Sequence, residues 1–273
     1  MPTKKSTALV ALLLLAATLA MPRANATTVP AWRPAPSLPQ VTPVWSGYVA
    51  RGIAFRSVSA TWAVPQITCP DSFAAFGAAW VGLGGWHRNL LAQAGVDGDC
   101  AGGAKFYWIW YEVYGDPHFG APSAPGYPVV LVPNYPLAPH DLVHVQVSYH
   151  VGLVTFYLQN LSRHWSFVTH HRVYIPLDTL DTAEWILEAE PSCDQYYLHA
   201  SCLGHLPRLA SLTFFSAFAT DQHGRATPLA FSRYAVTLRL PHSIARPGPL
   251  LAPGGSTFTI YSSTTPRRSY TMP

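Results

Sequence analysis

The chain has 273 residues, of which 49% are hydrophobic, 13% aromatic and only 11% charged, and it contains 26 Pro and 19 Gly. Disordered proteins have few aromatic and many charged residues, and long helical bundles contain little Pro or Gly, so the composition excludes both classes. The formal net charge is +4 and Lys or Arg never form a run longer than two, which excludes a basic nucleic-acid-binding surface.

The N-terminus has the pattern of a secretory signal. Lys4 and Lys5 precede an apolar run at residues 8–20, and residues 24–26 form an A-x-A cleavage site, so we expect residues 1–26 to be removed. The run is too short to span a bilayer as a helix. The sequence therefore predicts a protein that is secreted, extracellular or periplasmic, without a membrane anchor after cleavage and with 14 basic against 13 acidic residues.

Export from the cytoplasm bears on the state of the four cysteines. Cys69, Cys100, Cys193 and Cys202 form an even set, which in an oxidising compartment favours two disulfides. Three pairings are possible, and we favour Cys69–Cys100 together with Cys193–Cys202, which closes a short loop. Neither a C-x-x-C pair nor an H-E-x-x-H motif is present, so we predict neither a metal nor a cofactor.

In chain order, residues 27–43 are Pro-rich and indicate an exposed arm, residues 44–265 are predicted to form one β domain, and residues 266–273 form a polar tail. Residues 115–134 are rich in Pro and Gly and are predicted to be a long loop. Eleven segments alternate apolar and polar residues or are enriched in β-branched and aromatic residues, as strands are. They are residues 55–64, 78–83, 90–96, 106–114, 142–151, 154–158, 165–175, 183–189, 211–219, 231–240 and 257–261. Many short strands without a convincing amphipathic helix predict an antiparallel sandwich or barrel.

Carboxylates are scarce in this chain, and three of them cluster in residues 183–190. On a strand, Glu184, Glu188 and Glu190 share one face with Ile186, while an apolar set occupies the other face. One interpretation is a solvated outer face, and the other is a site that uses the carboxylates.

Two further runs place polar side chains on one strand face. In residues 91–97, Gln93 and Asp97 lie on the same side as the small Gly95, which leaves room for a ligand or a neighbouring backbone. In residues 106–112, Trp110 and Glu112 share a face with a further tryptophan. The first run is also compatible with an ordinary strand that has a polar outer face, and the aromatic residues of the second are also compatible with a plain core.

Six motifs in order resemble the glutamic peptidases, also called eqolisins, from Trp45 to Phe218. They are W-S-G-Y at 45–48, S-V-S-A-T-W-A-V-P at 57–65, W-V-G-L-G-G at 80–85, L-A-Q-A-G-V-D at 91–97, W-Y-E at 110–112 and A-E-W-I-L-E at 183–188. The resemblance implies a β-sandwich of two stacked antiparallel sheets, a jelly roll of the concanavalin A-like or lectin-like kind. It also implies a secreted endopeptidase that acts in acid on polypeptide substrates, and we expect a monomer.

The resemblance implies a Gln/Glu catalytic dyad. By motif, the pair is Gln93 and Glu188, with Glu184 as the fallback for the second residue. The glutamate would activate water, and the neutral amide N–H of Gln93 would stabilise the oxyanion.

Other motif positions imply supporting roles. Asp97 and Glu112 match positions that support the site, and Trp45 and Trp110 match positions near the substrate. An acid of the fungal pattern is replaced by Gly84 and another by Trp108, which leaves the pH optimum open because neighbouring carboxylates tune one another.

Two other classes of function remain open from sequence. A glycoside hydrolase would use paired carboxylates, but Glu184 and Glu188 would lie ~13 Å apart on a regular strand, which leaves Glu188 and Glu190 as the closer pair. A non-catalytic lectin-like module would bind ligands with exposed Trp and Tyr.

Overall fold

A computed structural model describes residues 37–69, 74–87, 90–116, 118–119, 129–173, 180–190, 205–251 and 254–264. Within these ranges the chain forms 16 strands and a short 3-10 turn at Pro228–Ala230, and no α-helix. The strands are β1 (Ser37–Thr42), β2 (Trp45–Arg51), β3 (Ser57–Ala63), β4 (Gly77–Gly84), β5 (Leu91–Ala101), β6 (Ala104–Tyr114), β7 (Val130–Val132), β8 (Leu142–His150), β9 (Leu153–Asn160), β10 (Trp165–Arg172), β11 (Thr182–Ala189), β12 (Ser211–Asp221), β13 (Gly224–Ala226), β14 (Ser232–Leu240), β15 (Ser243–Pro247) and β16 (Phe258–Thr264).

The strands form one hydrogen-bonded ladder that folds over on itself. Fourteen strands follow the order β10-β9-β8-β3-β12-β16-β15-β14-β2-β11-β4-β5-β6-β7, and off this path β1 pairs with β14 and β13 pairs with β12. We call the part from β10 to β16 the back sheet and the part from β14 to β7 the front sheet. The two are joined by β15, which pairs with β14 on one side and with β16 on the other.

A core of aromatic and β-branched side chains holds the two sheets together. Alternate residues of β8 and β9 are buried, as expected for strands with one face against a core. Trp62 and Phe156 from the back sheet and Trp185 from the front sheet are fully buried in one cluster. Trp185 Nε1 also donates to the Ser59 carbonyl at 3.0 Å, a hydrogen bond between the two sheets. The predicted antiparallel β-sandwich is confirmed.

The central strands of the front sheet differ from those of the back sheet because both of their faces are covered. Every residue of β4 is buried, and so are seven of the eight residues of β11. One face packs on the core between the sheets. The other face, which we call the front face, carries a second apolar cluster that includes Trp80, Trp86, Trp110 and Ile186.

Each of the eleven predicted strands overlaps an observed strand, and two predicted irregular segments need correction. The predicted arm, residues 27–43, ends in β1, which pairs in parallel with β14 and is mostly exposed. The predicted loop, residues 115–134, contains β7, which pairs with β6. In both segments the hydrogen bonds of a neighbouring strand impose an extended backbone that local composition does not encode. The predicted signal at 1–26 and tail at 266–273 lie outside the described residues.

One of the two predicted disulfides is observed. Cys69, which follows β3, is bonded to Cys100 of β5 across a sequence separation of 31. Cys193 and Cys202 lie outside the described residues. In the part of the chain that the structure covers, no helix combines the length and apolarity needed to cross a bilayer.

Candidate active site

Strand register builds the front face as rows of side chains that run across β11, β4, β5 and β6. The first row contains Glu184, Gly82, Gln93 and Glu112, each opposite the next. Gly82 has no side chain, and the space above it is filled by the side chains of Leu91 and Trp80, 2.8 and 2.9 Å from where a Cβ would lie.

Two further rows follow along the strands. The second consists of Ile186, Trp80, Gly95 and Trp110, and the third consists of Glu188, Ala78, Asp97 and Trp108. The alternation of each strand therefore places all the acids predicted from sequence on one face.

Gln93 is held by Glu112. Its Nε2 donates to Glu112 Oε2 at 2.6 Å, and both side chains are nearly buried, with exposed fractions of 7% and 5%. Gln93 Oε1 is buried and has no hydrogen-bond partner among the described residues. An amide nitrogen has two hydrogens, and the hydrogen bond to Glu112 uses one of them.

Glu188 is anchored by tryptophan. Trp80 Nε1 donates to Glu188 Oε2 at 2.8 Å. Burial raises the pKa of Glu188 to about 7, against the lowering effect of hydrogen bonds from Trp80 and Trp45. The carboxyl thus exchanges its proton near neutral pH, which is the range in which a general base works best.

Glu112 links the two candidate catalytic residues. Burial raises its pKa to about 7, while the hydrogen bond from Gln93 lowers it and the charge of Glu188 raises it. Register places Gln93 and Glu112 in the first row and Glu188 in the third, so the two candidate catalytic residues share a sheet face but not a row.

A second group of acids, which we call the carboxyl trio, lies beside Glu188 and consists of Asp97, Asp99 and Glu190. Burial and the charges of Glu190 and Asp99 raise the pKa of Asp97 well above its usual value. Burial also raises the pKa of Asp99, to about 6. Burial and the charges of Glu188 and Asp99 raise the pKa of Glu190 to about 8, so all three acids bind their protons more tightly than exposed carboxyls do.

Glu184 lies on the same face but is sealed off. Its exposed fraction is 0%, and burial raises its pKa well above the usual value. A solvated outer face is therefore ruled out for this residue. A fully buried acid is also poorly placed to act on a polymer, so the fallback assignment is the weaker one.

The two tryptophans predicted to contact substrate lie in different surroundings. Trp45 is half-buried and packs edge-on against Trp80, with ring centroids 5.0 Å apart. Trp110 has an exposed fraction of 3% and belongs to the apolar cluster of the front face. Direct contact with a substrate is therefore open to Trp45, whereas little of the Trp110 surface remains for it.

Gly95 is required by backbone packing and not by a ligand. A Cβ built on Gly95 would lie 2.3 Å from the Ala79 carbonyl oxygen and 2.6 Å from Trp80 Cβ. Of the two interpretations of this glycine, the close approach of a neighbouring backbone is the one observed.

Sequence reasoning missed three residues of the site. Trp80 begins the motif at residues 80–85, but its hydrogen bond is made to Glu188, which lies 108 residues further along the chain. Asp99 lies two residues after Asp97 on the same face of β5, so alternation would have found it had the predicted strand not ended at residue 96. Trp86 packs against Trp45 and Tyr234 from the turn that follows β4, and no periodic pattern marks it.

The described residues thus form an antiparallel sandwich with an amide and several buried carboxyls on one sheet face. The family model described as the Peptidase A4 family matches residues 43–237, and the chain belongs to this family, the eqolisins. A comparison of the sequence with curated proteins finds no match.

Solved eqolisin structures share the fold. Scytalido-glutamic peptidase with a transition state analog inhibitor is 18% identical, covers 81% of this chain and 98% of its own, and has a TM-score of 0.63. SCP-B, an eqolisin in a complex with the tripeptide Ala-Ile-His, is also 18% identical with a TM-score of 0.56 and the same coverage of 81% and 98%. Aspergilloglutamic peptidase from Aspergillus niger is 21% identical, covers 69% of this chain and 99% of its own, and has a TM-score of 0.52.

The predicted fold class and family are thereby confirmed, and the chain is a glutamic peptidase by family. The glycoside hydrolase and the lectin-like module, both open from sequence, have no comparable support.

Proposed function

We propose that this chain is a secreted endopeptidase that hydrolyses peptide bonds with the dyad Gln93 and Glu188. The observation that carries the proposal is the Glu188 carboxyl, oriented by Trp80 Nε1 at 2.8 Å and with a pKa raised to about 7. It lies on the same sheet face as a Gln93 amide that Glu112 orients at 2.6 Å.

Ionised Glu188 takes a proton from a water molecule, whose oxygen attacks the scissile carbonyl carbon. The second N–H of Gln93 donates to the oxyanion that develops on the carbonyl oxygen. Protonated Glu188 then gives its proton to the leaving amine as the C–N bond breaks, and the enzyme returns to its starting state. Glu112 acts as a positioning residue for Gln93.

The acidity of the site sets the working pH. Glu188 must be ionised to act as a base, and this fraction grows as the pH rises toward about 7. A higher pH also has a cost: the pKa values of Glu112 and Asp99 are raised, so the fold loses stability as these buried acids ionise. We propose a weakly acidic optimum, between about pH 5 and 7.

The remaining parts of the proposal concern the whole chain. Removal of residues 1–26 leaves the arm at 27–43, the peptidase domain at 44–265 and the tail at 266–273. The Cys69–Cys100 disulfide supports an oxidising location outside the cytoplasm. The mature protein acts on polypeptides as a monomer.

The test compares two glutamates of one strand that face the same way. The purified protein is assayed on an unfolded protein substrate from pH 3 to 8, together with the variants Glu188→Gln, Glu184→Gln and Gln93→Ala. We expect Glu188→Gln and Gln93→Ala to lower kcat by about 100-fold or more, since each removes a group used in the transition state. Glu184→Gln is expected to retain activity within about threefold, because the Glu184 side chain takes part in no step of the proposed reaction.

Circular dichroism confirms that each variant is folded. Full activity in folded Glu188→Gln contradicts the proposed dyad. Loss of activity in Glu184→Gln alone would assign the role of general base to Glu184. Complete inhibition by a serine- or metal-directed reagent contradicts the class of mechanism.

A further inference from the structure

Three large apolar side chains lie exposed together at the β6–β7 side of the front face. Phe106 and Trp108 of β6 have exposed fractions of 40% and 39%, and Leu131 of β7 has 50%. The Phe106 and Trp108 rings are stacked, with centroids 6.2 Å apart and an interplanar angle of 7°. We call these three residues the aromatic edge. Contiguous exposed apolar groups of this kind mark binding sites on proteins.

The aromatic edge lies on the same face as the catalytic residues. Phe106, Trp108 and Glu112 are separated by even numbers of residues on β6 and so project to one side of the sheet. Register extends the third row from Glu188 through Ala78 and Asp97 to Trp108. Leu131 pairs with Trp110 and thus lies diagonally next to Trp108.

The separation between the dyad and the aromatic edge corresponds to a few residues of extended peptide. Glu188 and Trp108 lie on strands three positions apart, which at ~4.8 Å per strand is about 14 Å. An extended peptide advances ~3.4 Å per residue, so about four residues cover this distance.

We propose that the aromatic edge is a distal subsite that binds an apolar, preferably aromatic, side chain of the polypeptide substrate about four residues from the scissile bond. The inference rests on the proposed peptidase function and adds a preference for long substrates with an apolar residue at a fixed distance. Its occupant is the substrate chain because the aromatic edge continues the row that contains Glu188. A flat pair of rings fits another aromatic ring by offset stacking.

The experiment uses two series of peptides that share one cleavable centre. The short series has two residues on either side of the scissile bond, and the long series has six, with a single Phe moved through otherwise polar flanks. The variants are Trp108→Ala and, as a matched control, Phe215→Ala, which removes an aromatic ring of 41% exposed fraction from β12 of the back sheet.

In the wild-type protein we expect kcat/KM to peak when Phe lies three to five residues from the scissile bond, on one side of it. Trp108→Ala is expected to lower this peak by about 3- to 10-fold, mainly through KM, since ring stacking is a modest binding interaction. Both variants should cleave the short series at the wild-type rate, and Phe215→Ala should also keep the peak.

Several outcomes overturn the inference while leaving the dyad intact. One is cleavage of both series with no positional preference, and another is an equal loss on short and long peptides in Trp108→Ala. A dimer in sedimentation analysis that Trp108→Ala dissociates would assign the aromatic edge to a second copy of the chain. If the wild-type protein cleaves no peptide, the proposed function fails. The subsite is then tested by binding alone: Trp108→Ala should weaken binding of the long Phe peptide. Equal binding by both proteins overturns it.

Discussion

Glu112 contributes a defined part of the pH dependence of stability. Burial raises its pKa from 4.5 to about 7, the hydrogen bond from Gln93 lowers it, and the charge of Glu188 raises it further. The shift of about 2.5 units corresponds to roughly 3 kcal/mol at ~1.4 kcal/mol per unit. The folded protein binds this proton more tightly than the unfolded chain. The contribution is therefore fully present below about pH 4.5 and is lost as the pH rises through about 7.

The variant Glu112→Gln replaces this carboxyl with an amide that cannot ionise and that still accepts from Gln93. We expect the wild-type free energy of unfolding to fall between pH 4 and pH 8, and the fall in the variant to be smaller by about 3 kcal/mol. Urea denaturation followed by tryptophan fluorescence at both pH values measures the difference. At pH 4 both proteins carry a neutral group here, so this measurement serves as the control for packing.

The reasoning is refuted if the two proteins lose the same free energy between pH 4 and pH 8. The wild-type change alone also contains the raised pKa values of Asp99 and Glu188 and the lowered pKa values of His144 and Asp141, which act in opposite directions. The difference between wild type and variant is therefore the quantity that decides.

Three further changes test other contacts of the site and its support. Trp80→Phe removes the N–H that donates to Glu188, so the pKa of Glu188 should rise and the acid limb of the pH–rate profile should move up by roughly one unit; an unmoved limb would contradict the role of Trp80. Gly95→Ala places a Cβ 2.3 Å from a backbone carbonyl, and we expect a loss of about 3 kcal/mol in urea unfolding, whereas an unchanged midpoint would contradict the packing. Cys100→Ser opens the disulfide to Cys69, which spans 31 residues, and should cost about 3–4 kcal/mol. Reduction of the wild-type protein should reproduce that loss, and a wild type insensitive to reductant would argue against the bond.

Much of the fold could be predicted because strands with one buried face alternate in sequence. β8 and β9 do so over their whole length, and their predicted limits are accurate to within a few residues. β15, with the sequence SIARP, has too few apolar residues to alternate and exists because β14 and β16 pair with it on either side. Pairing of this kind is a property of the folded chain and leaves no local pattern.

The site was predictable where motif and alternation agreed. Gln93 and Glu112 were both predicted, and cross-strand register brings them together. The carboxyl trio could not be predicted as a unit. Asp97 and Glu190 come close because β5 and β11 lie on either side of β4, and this strand order is not visible in the sequence. Acidic side chains usually lie on the protein surface, and sequence patterns are interpreted on that assumption. The buried acids of this site are an exception that such patterns do not predict.

The fold-over at β15 has a consequence for how copies of the chain meet. Because β15 joins the two sheets, the main path of the described ladder has its two ends at β10 and β7, while β1 and β13 lie off this path beside β14 and β12. One of these ends, β7, is three residues long, and the other, β10, carries His170, His171 and Arg172 in sequence. Short or basic edges are poor templates for intermolecular strand addition. The join at β15 therefore leaves two ends of the main path that are poor sites for strand addition by another copy of the chain.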